Sequence, residues 1–241
     1  MELSEEDLRW LRASYPGLRL TASGRLEGSI SFQMLHLDGR HYIDPAPDFI
    51  ADHASAGFYI SDTYRVRLTP QPDRVWPTAH EIGRRIETVA KKKGLRYEDL
   101  HMNIRDHELC LASTMELDET FEHGFALQIY IEEFLVPFLF LQTHFAQTGR
   151  WLWGQLDHGV AGLLQWLGRQ DNYTAEEVIA TFAAIQKLSP STATSILGKR
   201  TRSSHLCLCD SGRKIKECCE EIKVAISRIR AANARNALGD I

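Results

Sequence analysis

The spacing of hydrophobic residues changes along the first half of the chain, and each change predicts a different element. Leu11 and Tyr15 repeat at helical spacing after an acidic first turn. Ser4 precedes them with Asp7 three residues on, the pattern of a capping box. The sequence therefore predicts a helix from Ser4 to Tyr15, ended by Pro16 and the glycine after it.

From Leu18 onward the apolar period becomes two, which is typical of half-buried strands. Turn residues at 23–24, 38–39 and 45–47 separate the alternating runs. Connections this short exclude parallel crossovers, so an antiparallel meander is predicted. The alternating apolar positions are Leu18, Leu20, Ile30, Phe32, Met34, Tyr64, Val66 and Leu68.

The second half of the chain is predicted to be mainly helical. Prolines at 70, 72 and 77 exclude regular structure before it. The expected helices are His80–Lys93, a buried central helix Phe121–Gln147 with a kink at Pro137, a helix opened by 157–159 and ending near Leu167, and a helix capped by Thr174 with Glu177 that ends before Pro190.

Composition and charge narrow the class of protein. The chain has 241 residues, 44% of them hydrophobic, with a formal net charge of −4, which gives no reason to expect a nucleic-acid partner. Residues 199–241 hold ten Lys and Arg against five Asp and Glu, so the basic charge is concentrated there. The acidic start does not look like a secretory signal, and no apolar run reaches the length of a membrane span. We expect a cytoplasmic protein that has no membrane partner.

Four of the five cysteines lie within thirteen residues, as two close pairs. Thiolates in this pattern can complete a tetrahedral zinc shell, and adjacent cysteines such as Cys218 and Cys219 form a disulfide only with strain. We interpret the four cysteines as a closed, structural zinc site rather than a catalytic one. Disulfide bonds are the alternative. Its predicted ligands are Cys207, Cys209, Cys218 and Cys219.

The same segment resembles the SEC-C motif, a short zinc knuckle appended to many bacterial proteins. The Cys-x-Cys, Ser-Gly, Lys-x-Lys and Cys-Cys positions match, whereas Leu208, Asp210 and Ile215 differ from the usual residues. The resemblance implies a docking surface for proteins, which the basic side chains at 213, 214 and 216 would suit.

The fifth cysteine, Cys110, ends the segment 101–110, where an irregular loop is expected to meet packed structure. Arg105 and His107 are near enough in sequence to favour its thiolate, and the Asn103 amide could donate to an oxyanion. A cysteine between leucines is also a common inert core residue, and that alternative stays open. His158 is a further candidate for proton transfer.

The pattern His-x-Asn-Ile followed by Cys-Leu resembles the signature of ubiquitin-conjugating enzymes, although Met102 stands where that family has proline. The resemblance implies that Cys110 accepts a protein C-terminus as a thioester, that Asn103 stabilises the tetrahedral intermediate and that His101 holds the loop in shape. It also implies an α+β fold of the UBC type: an N-terminal helix, an antiparallel meander and C-terminal helices.

Together these patterns predict a ubiquitin-conjugating-enzyme-like domain over 1–170, a helical connector and linker over 171–203, and a zinc knuckle with a terminal helix over 204–241. The combination resembles bacterial proteins of anti-phage operons. The partners implied are an activating enzyme and a protein with a transferable C-terminus, either a ubiquitin-like protein or a cGAS-like cyclic-oligonucleotide synthase. The function expected is transfer of that C-terminus through Cys110 to an amine.

Two other functions are compatible with the sequence. The first is a non-catalytic adaptor of the same fold that docks partners through the knuckle, with Cys110 unreactive. The second is a thiol hydrolase in which Cys110 acts with His101 or His158, although the spacing shows no third group to orient the base.

Overall fold

The structure is a computed structural model that describes residues 3–103, 106–152, 159–198, 204–209 and 212–235. The chain divides into two compact units, Met1–Trp153 and Gly154–Ile241. Helix Gly159–Arg169, which the predicted boundary at 170 counts with the first domain, lies in the second unit. The identities given to the three predicted domains stay predictions.

The first unit begins with helix α1, Glu5–Ser14, and the predicted cap is confirmed. The Ser4 hydroxyl accepts a hydrogen bond from the Asp7 N–H at 3.0 Å, and the Asp7 carboxylate accepts one from the Ser4 N–H at 2.8 Å. Leu11 and Tyr15 are buried in the core of the unit. The apolar face of α1 thus covers the core, as its spacing predicts.

The described residues form a five-stranded antiparallel sheet, which confirms the predicted pairing. The order is β1-β2-β4-β5, and β3 pairs with the far end of β2. Alternation holds in the middle of β2, where exposed Ser31 and Gln33 separate buried Ile30, Phe32 and Met34. The strands are β1 Leu18–Leu20, β2 Leu26–Leu37, β3 Arg40–Ile43, β4 Phe58–Thr69 and β5 Thr78–Glu81, with helix α2, Pro47–His53, between β3 and β4.

The predicted helix His80–Lys93 begins later than expected. The chain continues as β5 to Glu81, because Thr78–Glu81 completes a ladder with β4, and helix α3 is Arg85–Lys93. Arg84 turns the chain in the left-handed conformation, with φ of 63°. The Glu81 carboxylate then accepts the Ile86 N–H at 3.2 Å and caps α3 in place of its N-cap residue.

The predicted central helix is present and buried, which confirms that expectation, but it begins later than the predicted start at Phe121. Helix α4, Thr114–Thr120, ends at Phe121, and a continuous helical segment follows: α5 Leu127–Ile129, a π-helical turn Tyr130–Leu135 and α6 Val136–Thr148. Residues 136–145 are all buried, and α6 packs against β2 and β4. The wider turn before Pro137 accommodates a ring that would otherwise collide with the preceding turn.

The second unit is helical. Its elements are α7 Gly159–Arg169, α8 Ala175–Leu188, α9 Pro190–Leu197, a 3₁₀ turn Ile215–Glu217 and α10 Glu220–Ala234. The predicted Thr174–Glu177 capping box is present at the start of α8. Helices α7 and α10 are so close that a Cβ at Gly168 would overlap the carbonyl oxygen of Glu221. Within the described ranges, none of the helices combines the length and apolar character needed to cross a bilayer.

Candidate functional site

Residues 101–103 and 106–110 pair with each other as the two arms of a short hairpin, rather than forming an irregular loop. A 3₁₀ turn, Glu98–Leu100, leads into His101, which has a φ of 55°. Met102 and Leu109 pair across the hairpin, and both are buried. The Cys110 N–H donates to the His101 carbonyl at 2.9 Å. The predicted catalytic cysteine is therefore fixed by a backbone bond to the residue that was expected to hold the loop.

The backbone of Asn103 bonds to the opposite arm of the hairpin, and the hairpin extends the edge of the sheet. The Asn103 N–H donates to the Glu108 carbonyl at 2.8 Å, and the Asn103 carbonyl accepts from the His107 N–H at 2.9 Å. The Leu109 N–H donates to the carbonyl of Ala79 in β5 at 2.8 Å. This pairing with β5 explains why a polar segment adopts a defined position.

Alternation along the paired arms places three side chains on one face. Met102 and Leu109 face the core, so Asn103, Glu108 and Cys110 belong to the opposite face. Side chains at directly opposed and diagonal positions of an antiparallel pair are within reach of one another. Asn103 is exposed, and Cys110 is partly exposed. The hairpin thus brings the candidate nucleophile and the candidate oxyanion donor to the same surface.

His101 has a structural contact. Its ring meets the Trp151 ring edge to face, with centroids 5.5 Å apart, and Trp151 also stacks on Phe145 at 4.4 Å. These contacts tie the start of the hairpin to α6 and agree with a loop-holding role for His101. The predicted contributions of Arg105 and His158 fall on positions outside the described residues.

The electrostatic environment of Cys110 differs from the expectation of a favoured thiolate. Burial raises the pKa of the Cys110 thiol to about 11, and the negative charges of Glu108 and Asp106 contribute in the same direction. The His107 ring instead packs against Tyr97, with centroids 4.8 Å apart. Near neutral pH the sulfur is therefore a protonated thiol, which is a weak nucleophile until a partner or substrate changes its surroundings.

Glu108 is the residue of this site that the sequence did not single out. Arg74 pairs with it, donating through Nη2 to both carboxylate oxygens at 3.1 and 3.3 Å. The Arg74 guanidinium also lies 5.8 Å from the centre of the Trp76 ring. Burial raises the pKa of Glu108, whereas Arg74 opposes that shift. Glu108 lies two residues before Cys110, and side chains two positions apart on a strand share a face. That spacing is the sequence signal that indicates Glu108, provided that the segment is a strand.

Replacing Glu108 by glutamine is expected to make Cys110 more reactive. Gln keeps the shape but removes the Glu108 negative charge, which is one of the causes that raise the pKa of Cys110, so that pKa falls. A fall of about one unit raises the thiolate fraction at pH 8 about tenfold. The measurement is the rate of Cys110 alkylation by iodoacetamide, followed by peptide mass spectrometry.

Glu116→Gln is the matched control, because burial also raises the pKa of Glu116 and yet Glu116 is not among the charges that act on Cys110. Its alkylation rate should equal that of the unaltered protein. Equal rates for both variants would show that Glu108 does not govern the thiol.

The four remaining cysteines form a cluster that could hold a metal ion. All four sulfurs lie within 4.8 Å of one another. The separations are 3.4 Å between Cys209 and Cys218, and 3.6 Å from Cys219 to each of those two. Four sulfurs about 2.3 Å from a zinc ion in a tetrahedron are about 3.8 Å apart, whereas a disulfide requires about 2 Å. The spacing fits a metal shell, and none of these four described cysteines is in a disulfide.

A small hairpin and a helix end build this cluster. The Cys207 N–H donates to the Arg213 carbonyl at 2.7 Å, the Ile215 N–H donates to the His205 carbonyl at 2.9 Å, and Gly212 takes a φ of 72° in the return. Cys219 is the N-cap of α10, so the positive end of the helix dipole faces the sulfurs. Local turns therefore deliver both pairs to one point.

Comparisons of the chain with protein-family models, with curated proteins and with solved structures give no significant match. The chain has an α+β architecture with an antiparallel sheet, and four cysteines between residues 207 and 219 could hold a metal ion.

Proposed function

We propose that this protein is a ubiquitin-conjugating-enzyme-like transferase that carries a protein C-terminus on Cys110. The observation that supports the proposal is the hairpin, in which the Cys110 N–H donates to the His101 carbonyl and strand alternation assigns Asn103 and Cys110 to one face. The resemblance of His101-Met-Asn103 and Cys110-Leu to the conjugating-enzyme signature supports the same interpretation.

The chemistry would proceed in two acyl transfers. In the first, the Cys110 thiol loses its proton and attacks the thioester on an activating partner. A new C–S bond forms as the partner's C–S bond breaks, and the departing thiolate of the partner takes up a proton. In the second, a lysine amine attacks the Cys110 thioester, forming a C–N bond and expelling the Cys110 thiolate, which takes up the proton that the amine loses. Each tetrahedral intermediate carries an oxyanion, to which the Asn103 amide would donate. The resemblance to bacterial proteins of anti-phage operons is the basis for proposing conjugation in anti-phage defence, with the partners named above.

We propose zinc as the ion of the cysteine cluster, because four thiolates at tetrahedral spacing form a closed structural zinc site. Cys207, Cys209, Cys218 and Cys219 would hold it. The ion would fix the fold of this segment and take no part in acyl transfer, because a closed shell leaves no position for substrate. The basic hairpin beside it, with Leu206 67% exposed, suits an acidic protein segment with an apolar anchor.

The transferase proposal is tested by capturing the thioester. The full chain, isolated without reducing agent from cells of its source, should carry a protein adduct on Cys110 that hydroxylamine or excess thiol removes. Cys110→Ala should abolish the adduct completely. The proposal is wrong if the adduct persists in Cys110→Ala, or if Cys110 neither carries an adduct in cells nor accepts an acyl group from a peptide thioester.

The raised pKa of Cys110 favours a second candidate, a non-catalytic adaptor of the same fold. A protonated, mostly sheltered thiol is what an inert cysteine would show. In that case the zinc-bearing hairpin would be the functional surface, and Cys110→Ala would leave partner binding unchanged. Capture of a Cys110 thioester excludes the adaptor, and the basic hairpin keeps its docking role under either candidate.

A further inference from the structure

Gln165 lies in the interior of the second unit, in helix α7, 42 positions before the first cysteine of the cluster. Its side chain is 5% exposed. A buried carboxamide is costly unless its polar atoms find partners. The Gln165 Nε2 lies 3.7 Å from the Cys219 sulfur and donates to it. A residue outside the four-cysteine motif thus reaches one of the sulfurs.

We propose that Gln165 is a positioning residue of the metal site, which holds Cys219 and ties the bound ion to helix α7. The proposal rests on the proposed zinc site. Four thiolates around a divalent ion carry two excess negative charges, and donors to the sulfurs offset that charge. Arg213 supplies one such donor, with its Nη2 3.3 Å from the Cys218 sulfur. Gln165 supplies another to the neighbouring cysteine.

The position of Gln165 is fixed by helix packing. Gly168, one turn along α7, lets the backbone of α10 approach at Glu221, two residues after Cys219. Arg228 of α10 also donates to the Leu167 carbonyl of α7. These contacts hold α7 against the helix whose first turn carries the sulfur. In the folded site these contacts therefore keep the Gln165 amide next to the Cys219 sulfur.

The role proposed for Gln165 depends on its Nε2 N–H donor and not merely on the bulk of its side chain. Gln165→Met keeps the length and removes the N–H, and Gln165→Glu keeps the shape and places a carboxylate against a thiolate. Loss of such an outer donor lowers metal affinity about tenfold to a hundredfold. We expect about tenfold for Gln165→Met and a larger loss for Gln165→Glu.

The matched control is Gln142→Met in the first unit. Gln142 is a buried helical glutamine whose Nε2 donates at 2.8 Å to the Leu100 carbonyl, so its loss removes a comparable buried amide far along the chain from the cysteines. Zinc affinity of each full-length protein is measured by competition with a chromophoric chelator. Circular dichroism shows whether each variant is folded.

Cobalt(II) provides a readout that a loss of packing would not move. The sulfur-to-cobalt charge-transfer band reports electron donation by the thiolates, which an N–H donor reduces, so the band should shift in Gln165→Met and stay in place in Gln142→Met. If the unaltered protein binds no zinc, the proposed zinc site is wrong. If it binds zinc while Gln165→Met keeps both affinity and band, the role of Gln165 is wrong.

Discussion

Replacing Cys219 by serine is expected to remove zinc and to unfold the end of the chain that the cysteines organise. Structural zinc contributes about 10–16 kcal/mol of apparent binding energy in small metal-folded modules, far more than the interactions that surround this cluster. Within 204–209 and 212–219, each arm has one buried apolar side chain, Cys207 on the first and Ile215 on the second. Without the ion, these few contacts do not offset the cost of ordering the backbone.

The measurement is native-state hydrogen exchange by mass spectrometry, with zinc content determined for the same samples. Amides of the 3₁₀ turn and the first turns of α10 should exchange orders of magnitude faster in Cys219→Ser, and a chelator should have the same effect on the unaltered protein. Amides of α6 in the first unit should stay protected, since residues 136–145 are buried in that unit's own core.

Cys110→Ala is the matched control, because it removes one of the five cysteines and leaves the cluster intact. Its zinc content and exchange pattern should equal those of the unaltered protein. Full protection of α10 after complete metal removal would mean that the cluster contributes nothing to folding.

Replacing Asn103 by alanine is expected to slow acyl transfer from Cys110 about a hundredfold to a thousandfold. An amide that donates to a developing oxyanion contributes to the transition state and little to the ground state, which is why its loss appears in the rate. The hairpin holds Asn103 through backbone bonds to Glu108 and His107, so the alanine variant retains the main-chain geometry. Binding of the acyl donor should therefore change little.

The assay loads Cys110 from a short peptide thioester and follows aminolysis by free lysine with mass spectrometry. The single-turnover rate of aminolysis and the fraction of loaded Cys110 are both recorded, so that slow transfer is not mistaken for poor loading. Asn172→Ala, an exposed asparagine of the second unit, is the control and should react at the unaltered rate. A full rate in Asn103→Ala would remove this residue from the mechanism and leave Cys110 without an assigned oxyanion donor.

Patterns among residues a few positions apart were sufficient to predict several elements of the structure. The Ser4–Asp7 and Thr174–Glu177 capping boxes identify the starts of α1 and α8, since a cap depends on residues three positions apart. The alternation of Ile30, Phe32 and Met34 identifies β2 and its buried face. The cysteine pairs identify the possible metal ligands, because the two pairs are close along the chain and one turn brings them together.

The hairpin 101–110 shows where local reasoning fails. Most of its residues are polar and the apolar ones lack a clear period, so the sequence predicts a loop there. Pairing of Leu109 with the edge of β5 gives it order, and that edge exists only because Thr78–Glu81 joins β4 instead of beginning a helix. Strand pairing depends on partners that are distant in the chain, and the resulting hydrogen bonds outweigh helical propensity.

The sequence by itself determined which cysteines could hold a metal ion, the helix caps and the alternating strands, because each depends on residues close together in the chain. Tertiary structure decided the electrostatics of Cys110, where the partly buried Glu108–Arg74 pair joins residues 34 positions apart. It also decided that Gln165 reaches Cys219, across 54 positions. Both depend on burial and on contacts between distant segments, which no local pattern records.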